Sequence, residues 1–138
     1  MNETFDHTLI ATIGDTNAMG NVYFAKYFSI QGTVRELWVN ERVPDAGKVL
    51  STGILMSTKS AHCEYKIPFF TFDTIVCKMH FEDLQRVSVV AVFDFFKEGD
   101  DQKYAYGFQK IVFKDENRKT CRMPESFRMA AEEICWQS

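Results

Sequence analysis

Long apolar runs are missing from this 138-residue chain. None approaches the roughly 18 consecutive apolar residues of a membrane span. The stretch from Met1 to Thr16 also lacks the basic start, apolar core and small-residue cleavage site of a secretory leader. The expectation is a cytoplasmic protein with no membrane partner. Basic clusters are missing too: 16 Lys and Arg stand against 19 Asp and Glu, for a net charge of −3, and no stretch could track a phosphate backbone. That excludes nucleic acid as the expected partner. Metal-ligand spacing is equally lacking, with no C-x-x-C pair and with His7, His62 and His80 scattered along the chain. Cys63, Cys77, Cys121 and Cys135 could form two bridges, but a core of this size needs no staples, so they read as reduced, mostly buried thiols. Neither a metal nor a cofactor is expected.

What is present is an ordinary globular balance of 46% apolar and 25% charged residues, which argues against disorder and low complexity. The length fits one domain over residues 1–138, able to bury roughly 70% of its unfolded surface in a single core. Thirteen Phe, five Tyr and two Trp are the less ordinary feature. Such flat side chains are hidden well between a sheet and a helix, which favours an α+β layer.

Helical periodicity runs from Asn21 to about Asn40, with Tyr23, Tyr27, Ile30, Val34, Leu37 and Trp38 recurring at three- and four-residue steps. Asn21 after Gly20 reads as the N-cap, and Pro44, Asp45 and Gly47 as a turn beyond the helix. Gly32 in mid-helix reads as a point of close backbone or ligand approach, or as a tolerated surface glycine. Beyond Gly53 the period becomes two. Ala61, Cys63, Tyr65 and Ile67 alternate with polar residues, then Ile75, Cys77, Met79 and Phe81 do the same, each strand with one wet face that carries His62 or His80 in solvent. Val87 to Phe95 is apolar on both faces and reads as a central strand. Gly99-Asp100-Asp101 predicts a hairpin into a last strand over Lys103–Phe113. Pro124 and Glu125 open a short helix to about Ile134, whose Phe127, Met129, Ala130 and Ile134 can cover a sheet edge or a second subunit. With an N-terminal strand over about Phe5–Gly14, the order predicts a hot-dog fold: a curled antiparallel five-stranded sheet wrapped around one long central helix, plus a short C-terminal helix.

The densest cluster of unusual residues is Gly14 to Phe24, in the loop feeding the long helix. A helix start offers free N–H groups and the positive end of a dipole, which can polarise a carbonyl. Asn17 adds an amide, and Asp15 is the nearest carboxylate in sequence. Read alone, Asp15, Thr16 and Asn17 could equally be a capping loop. On the helix, Tyr27, Gln31 and Arg35 follow one another at i+4 steps and can line one groove. Arg35 could instead pair with Glu36, Glu41 or another subunit, and Tyr27 could be a plain core aromatic.

The run Asp15-Thr16-Asn17-Ala18-Met19-Gly20-Asn21-Val22-Tyr23-Phe24-Ala25-Lys26-Tyr27, followed by Ile30-Gln31-Gly32-Thr33-Val34-Arg35-Glu36-Leu37, resembles the hot-dog thioesterase superfamily, and most of all the thioesterases of enediyne polyketide biosynthesis. Those share a T-N-x-x-G-N-V-Y-F segment and a Q-G-x-x-R-E-L segment at this separation. In the related 4-hydroxybenzoyl-CoA thioesterases the position matching Asn17 carries an Asp that acts as nucleophile or base; an amide can do neither. The enediyne branch has Asn there, together with an Arg and a Tyr on the long helix. The resemblance thus implies Asn17, Arg35 and Tyr27 as catalytic residues, with backbone amides near Phe24 as further oxyanion donors, and Gly20, Asn21, Tyr23 and Gln31 as substrate-binding residues.

The activity this implies is hydrolysis of an acyl thioester by direct water attack. The substrate would be a polyene β-ketoacyl chain on an acyl carrier protein or polyketide synthase, and its β-keto acid product could then lose CO2. An acyl-CoA or aryl-CoA thioesterase with another residue as base, and an acyl-binding protein without turnover, are the alternatives. A homodimer or homotetramer is expected, because alternating strands around one helix leave an edge that a second copy would protect.

Overall fold

The computed structural model describes residues 3–136, so the outer two residues at each end of the expected 1–138 domain lie outside the described residues. In chain order come β1 (Phe5–Ile10), a 3-10 turn (Ile13–Asp15), α1 (Lys26–Arg42), α2 (Ala46–Leu50), β2 (Leu55–Tyr65), β3 (Thr74–Glu82), β4 (Ser88–Lys97), β5 (Lys103–Lys114) and α3 (Glu125–Glu132). The strands form one antiparallel sheet in the order β1-β3-β4-β5-β2. β4 is central, as its two apolar faces predict. Val89, Ala91, Phe93 and Phe95 point into the core while Val90 and Val92 are half-buried on the outer face. α1 packs against β1 and β3 toward one edge and β2 at the other, so the sheet curls around it in the expected hot-dog arrangement. No described helix is long and apolar enough to cross a membrane.

The aromatic excess fills the space between helix and sheet. Phe69, Phe81, Phe93, Phe95, Phe113 and Phe127 are fully buried, each stabilising the fold by about 1.5–3 kcal/mol relative to exposure. Trp38 of α1 meets Phe81 edge-on at 4.7 Å, and Phe127 of α3 closes the same cluster against Phe113 at 5.5 Å.

Several local expectations are corrected. α1 starts at Lys26 rather than Asn21, because Asn21 and Val22 are drawn into bridges with Phe70 and Thr16 and the chain turns into a helix only after them. β1 ends at Ile10 rather than Gly14, where Asp15 folds back to cap Thr12. The Pro44–Gly47 turn leads into the extra helix α2. β2 begins six residues before Ala61 and is exposed on both faces, because as the edge strand it pairs with β5 alone. Met129 is exposed, leaving Phe127, Ala130 and Ala131 as the covering face of α3. His80 is buried rather than solvated: Trp136 stacks on it at 3.4 Å, since the C-terminal segment returns along β3 and pairs with Phe81. His62 stays exposed as expected.

A polar seam crosses this apolar interior. Arg35 Nη1 donates to Gln109 Oε1 (2.8 Å), Gln109 Nε2 donates to Gln31 Oε1 (3.1 Å), and Gln31 Nε2 donates to the His62 carbonyl (3.3 Å). The seam ties α1 to β5 and β2 at once. It needs Gly107, where an added Cβ would lie 2.1 Å from the His62 carbonyl oxygen and 2.5 Å from Gln31 Nε2. Gly32, by contrast, has nothing within 4 Å of such an atom, so the close approach expected there is found at Gly107 instead.

Opposite outcomes follow for two alanine substitutions. Gly107→Ala should lose about 1–3 kcal/mol or more by overpacking, whereas Gly32→Ala should gain up to about 1 kcal/mol of helix propensity. Urea midpoints of the two variants against the parent check both signs.

Candidate active site

The loop between β1 and α1 is built by turns that consume its polar side chains in different ways. Asp15 Oδ2 accepts from the Thr12 amide (2.8 Å) and hydroxyl (3.0 Å), and Lys26 Nζ stands 3.8 Å from Oδ1. The Thr12 amide bond holds the Asp15 carboxyl below the usual range, with Lys26 adding to it. Asp15 is therefore a cap. Two residues on, the Asn17 amide donates to the Asn21 carbonyl (2.9 Å), its carbonyl accepts from Gly20 N–H (3.0 Å), and its Oδ1 accepts from Met19 N–H (2.9 Å). Gly20 closes this turn at φ +84°, a conformation that favours glycine. Because the Met19 N–H can only donate, it fixes the oxygen of the Asn17 amide toward the turn. The Nδ2 hydrogens are left with no hydrogen-bond partner among the described residues.

Asn17, Asn21, Val22, Phe24 and Tyr27 line a groove of about 270 Å³, closed on the other side by Tyr65, Lys66, Ile67 and Pro68. The Phe24 and Ala25 amides, just ahead of α1, have no hydrogen-bond acceptor among the described residues. The Tyr65 hydroxyl donates to the Phe24 carbonyl (2.8 Å), and its ring meets Tyr27 edge-on at 4.7 Å. That contact holds the helix entrance with its amides presented. Burial pushes the Tyr27 hydroxyl up to about 12, and Tyr65 likewise to about 12. Both are neutral phenols near pH 7, able to donate a hydrogen bond but not to act as bases. No Asp or Glu lines the groove among the described residues.

Of the expected site residues, Asn17, Asn21, Phe24 and Tyr27 are brought together. Tyr23 is half exposed beside Phe24, with ring centroids 4.6 Å apart, and does not line the groove. Gly20 contributes the turn. Gln31 is fully buried in the seam. Arg35 lies two helical turns beyond Tyr27, about 12 Å along the axis. Its Nη1 donates to Thr58 Oγ1 (2.7 Å) as well as Gln109, and its Nη2 to the Met56 carbonyl (3.0 Å). Three of its five donors thus meet neutral acceptors. No carboxylate forms a salt bridge with it among the described residues, and burial pulls it below the usual arginine value, with Glu36 opposing. The alternative reading of Arg35, an ion pair with Glu36 or Glu41, is not found within the chain. Tyr65, Lys66, Ile67 and Pro68 were not identified from sequence: strand alternation marks Tyr65 as inward-facing but does not say which part of the helix it meets.

The sequence model of the thioesterase-like superfamily matches residues 11–131. The chain belongs to that superfamily. Among solved structures, the dynemicin thioesterase, whose crystal structures concern polyene binding, superposes with a TM-score of 0.89 at 23% identity, over 99% of this chain and 100% of that one. The gentisyl-coenzyme A thioesterase BH1999 gives a TM-score of 0.80 at 22% identity, over 91% and 98% of the two chains. A 1,4-dihydroxy-2-naphthoyl-CoA thioesterase from Synechocystis gives 0.86 at 15% identity, over 95% and 97%. At such identities the likeness is one of fold. No curated protein matches the sequence.

The buried phenols give a pH signature. Tyr27 and Tyr65 should ionise near pH 12 in a 295 nm absorbance titration, later than free tyrosine at about 10. Because the unfolded chain releases these protons first, the stability they confer is complete below about pH 10 and is lost as pH rises toward 12. Tyr27→Phe should flatten that loss, read as the urea midpoint at pH 9 and pH 11.5.

Proposed function

We propose that the protein hydrolyses an acyl thioester whose carbonyl sits in the groove at the α1 entrance. The observation that carries this reading is the set of donors that have no acceptor among the described residues, Asn17 Nδ2 and the Phe24 amide with the Ala25 amide next to it, at a groove that none of the described carboxylates lines. Donors aimed at a developing oxyanion are worth about 100- to 1,000-fold in rate each. The positive end of the helix dipole adds to them. With Asp15 committed to Thr12 and Tyr27 neutral, the nucleophile is water: its oxygen bonds to the acyl carbon, the carbon–sulfur bond breaks, and the departing thiolate recovers the proton. Lys66, the one charged residue lining the groove among the described residues, suits the phosphate of a carrier pantetheine.

Within one chain Arg35 stands away from this groove. The free edge of β2 reconciles the two in our reading. β2 carries Tyr65 at one end and, near the other, Met56 and Thr58, which hold Arg35. Antiparallel pairing of two β2 edges about Ser60, the middle residue, would bring the Arg35 end of one copy to the Asn17 end of the other. The working assembly is thus a homodimer, or a homotetramer built from two, in the cytoplasm. The substrate we assign is a flat polyketide-type β-ketoacyl chain on an acyl carrier protein, suited by the aromatic walls of Tyr27 and Tyr65; decarboxylation of the released acid would follow.

Thiol release from acyl-carrier and acyl-CoA thioesters tests the reading. The acyl-carrier form should turn over faster, while turnover of neither would leave a binding protein. Asn17→Ala should lower kcat about 100- to 1,000-fold, with a stability loss of no more than about 1 kcal/mol from the exposed turn bond to Met19 N–H. Arg35→Ala should lower both kcat and stability, the latter by about 1–3 kcal/mol, because it strips Gln109 and Thr58 of their donor. In oxygen-18 water under single turnover, the label should enter the released acid and never Asp15; a labelled carboxylate or a trapped acyl-enzyme would restore a covalent mechanism.

A further inference from the structure

The long helix begins without a side-chain cap. Ala25 holds its N-cap position, where alanine is among the poorest residues. The polar side chains just ahead of it bond elsewhere: Asp15 to Thr12, Thr16 to the Ile13 carbonyl and Asn17 to Met19. Uncapped helix ends fray, yet this one is held from the carbonyl side of its first peptide groups. The Tyr65 hydroxyl donates to the Phe24 carbonyl at 2.8 Å, while the helix's own bond to that oxygen, from Tyr27 N–H, is stretched to 3.4 Å. One residue earlier the Tyr23 carbonyl accepts from Lys26 N–H at 2.9 Å, and Tyr23 N–H donates to the Asp15 carbonyl at 2.8 Å. Of these bonds, the one from Tyr65 alone reaches across from the sheet. Tyr65 is itself well anchored. It pairs with Ala105 of β5, and the two amides after it donate to the Tyr104 carbonyl at 2.9 and 3.0 Å. Three residues before it, the His62 carbonyl takes the end of the polar seam.

We propose that Tyr65 is a positioning residue for the hydrolysis, standing in for an N-cap while leaving free the amides that a cap would occupy. The inference rests on the thioesterase reading and adds to it a residue that acts through Phe24 and Ala25. A capping side chain accepts from the first amides of a helix. A phenol bound on the carbonyl side secures the same turn and leaves those amides to an incoming oxyanion. The Phe24 carbonyl and the Ala25 N–H belong to one planar trans peptide, so fixing the oxygen fixes the direction of the N–H. The bond also polarises that N–H, because hydrogen bonds in a chain strengthen one another. Since Tyr65 stays a neutral phenol near pH 7, its hydroxyl remains a donor there.

Tyr65→Phe tests this, because it keeps the ring against Tyr27 and removes only the hydroxyl. With decanoyl thioesters of N-acetylcysteamine and of an acyl carrier protein, it should lower kcat about tenfold or more and leave KM within about twofold of the parent, since misplaced catalytic groups cost up to about 100-fold. Tyr104→Phe removes a similar phenol bond, to Asp100 at 3.0 Å, away from the groove, and should leave kcat unchanged. A measurement without turnover stands beside these. In the free protein, Tyr65→Phe should shift the carbonyl carbon-13 resonance of Phe24 and the amide nitrogen-15 resonance of Ala25. A parent-like kcat in Tyr65→Phe, a KM increase that accounts for the whole loss of kcat/KM, or an equal loss of kcat in Tyr104→Phe would overturn the proposal. Unmoved resonances would overturn the clamp even where thioesters are hydrolysed. Shifted resonances in a protein that hydrolyses neither thioester would instead remove the thioesterase reading, and the positioning role with it, while leaving the clamp in place.

Discussion

A single line of hydrogen bonds inside the core constrains the rest of the molecule. It runs from Arg35 through Gln109 and Gln31 to the His62 carbonyl, connecting the central helix to two strands that end the sheet on one side. Buried amides left without partners cost about 1–3 kcal/mol each, so the seam permits one register of α1 against the sheet and penalises a slip in either direction. The apolar contacts around it, such as Trp38 on Phe81 and Tyr27 on Phe95, would tolerate more sliding. Burial supplies most of the stability here, and the seam supplies the position.

That position matters because the candidate site lies at the entrance of the same helix. Fixing α1 fixes where its first amides point, and Tyr65 then clamps the Phe24 carbonyl from the strand that the seam also holds. Among the described residues the groove is lined by no carboxylate, and its two phenols are neutral near pH 7, leaving neutral donors and one lysine. Such a site can stabilise an anion but has no strong base of its own, which matches a thioester better than a less reactive acyl group.

The two halves of the motif in the loop have separate duties. Asp15 and Gly20 shape the backbone, one through its bonds to Thr12 and the other through its positive φ. Asn17 also shapes the turn through its oxygen, while its nitrogen has no hydrogen-bond partner among the described residues.

Periodicity and order in the sequence were enough to determine the layers of this protein: the long helix, the antiparallel strands, the centrality of β4 and the hairpin at Gly99. These follow from local alternation, which each segment carries in its own residues. The motif from Asp15 to Phe24 likewise marks the loop ahead of α1 as the candidate site, where Asn17, Asn21 and Phe24 do line one groove. Tertiary structure decided what depends on contact between distant segments. Alternation could not place Tyr65 on Phe24, show that Trp136 buries His80, or move the close approach from Gly32 to Gly107, since each is set by residues 41 or more positions apart. Nor could i+4 spacing separate Tyr27 from Arg35: both lie on one helical stripe, yet the strand opposite them is long enough to hold one at each end, and that distance is fixed only when the sheet has curled around the helix.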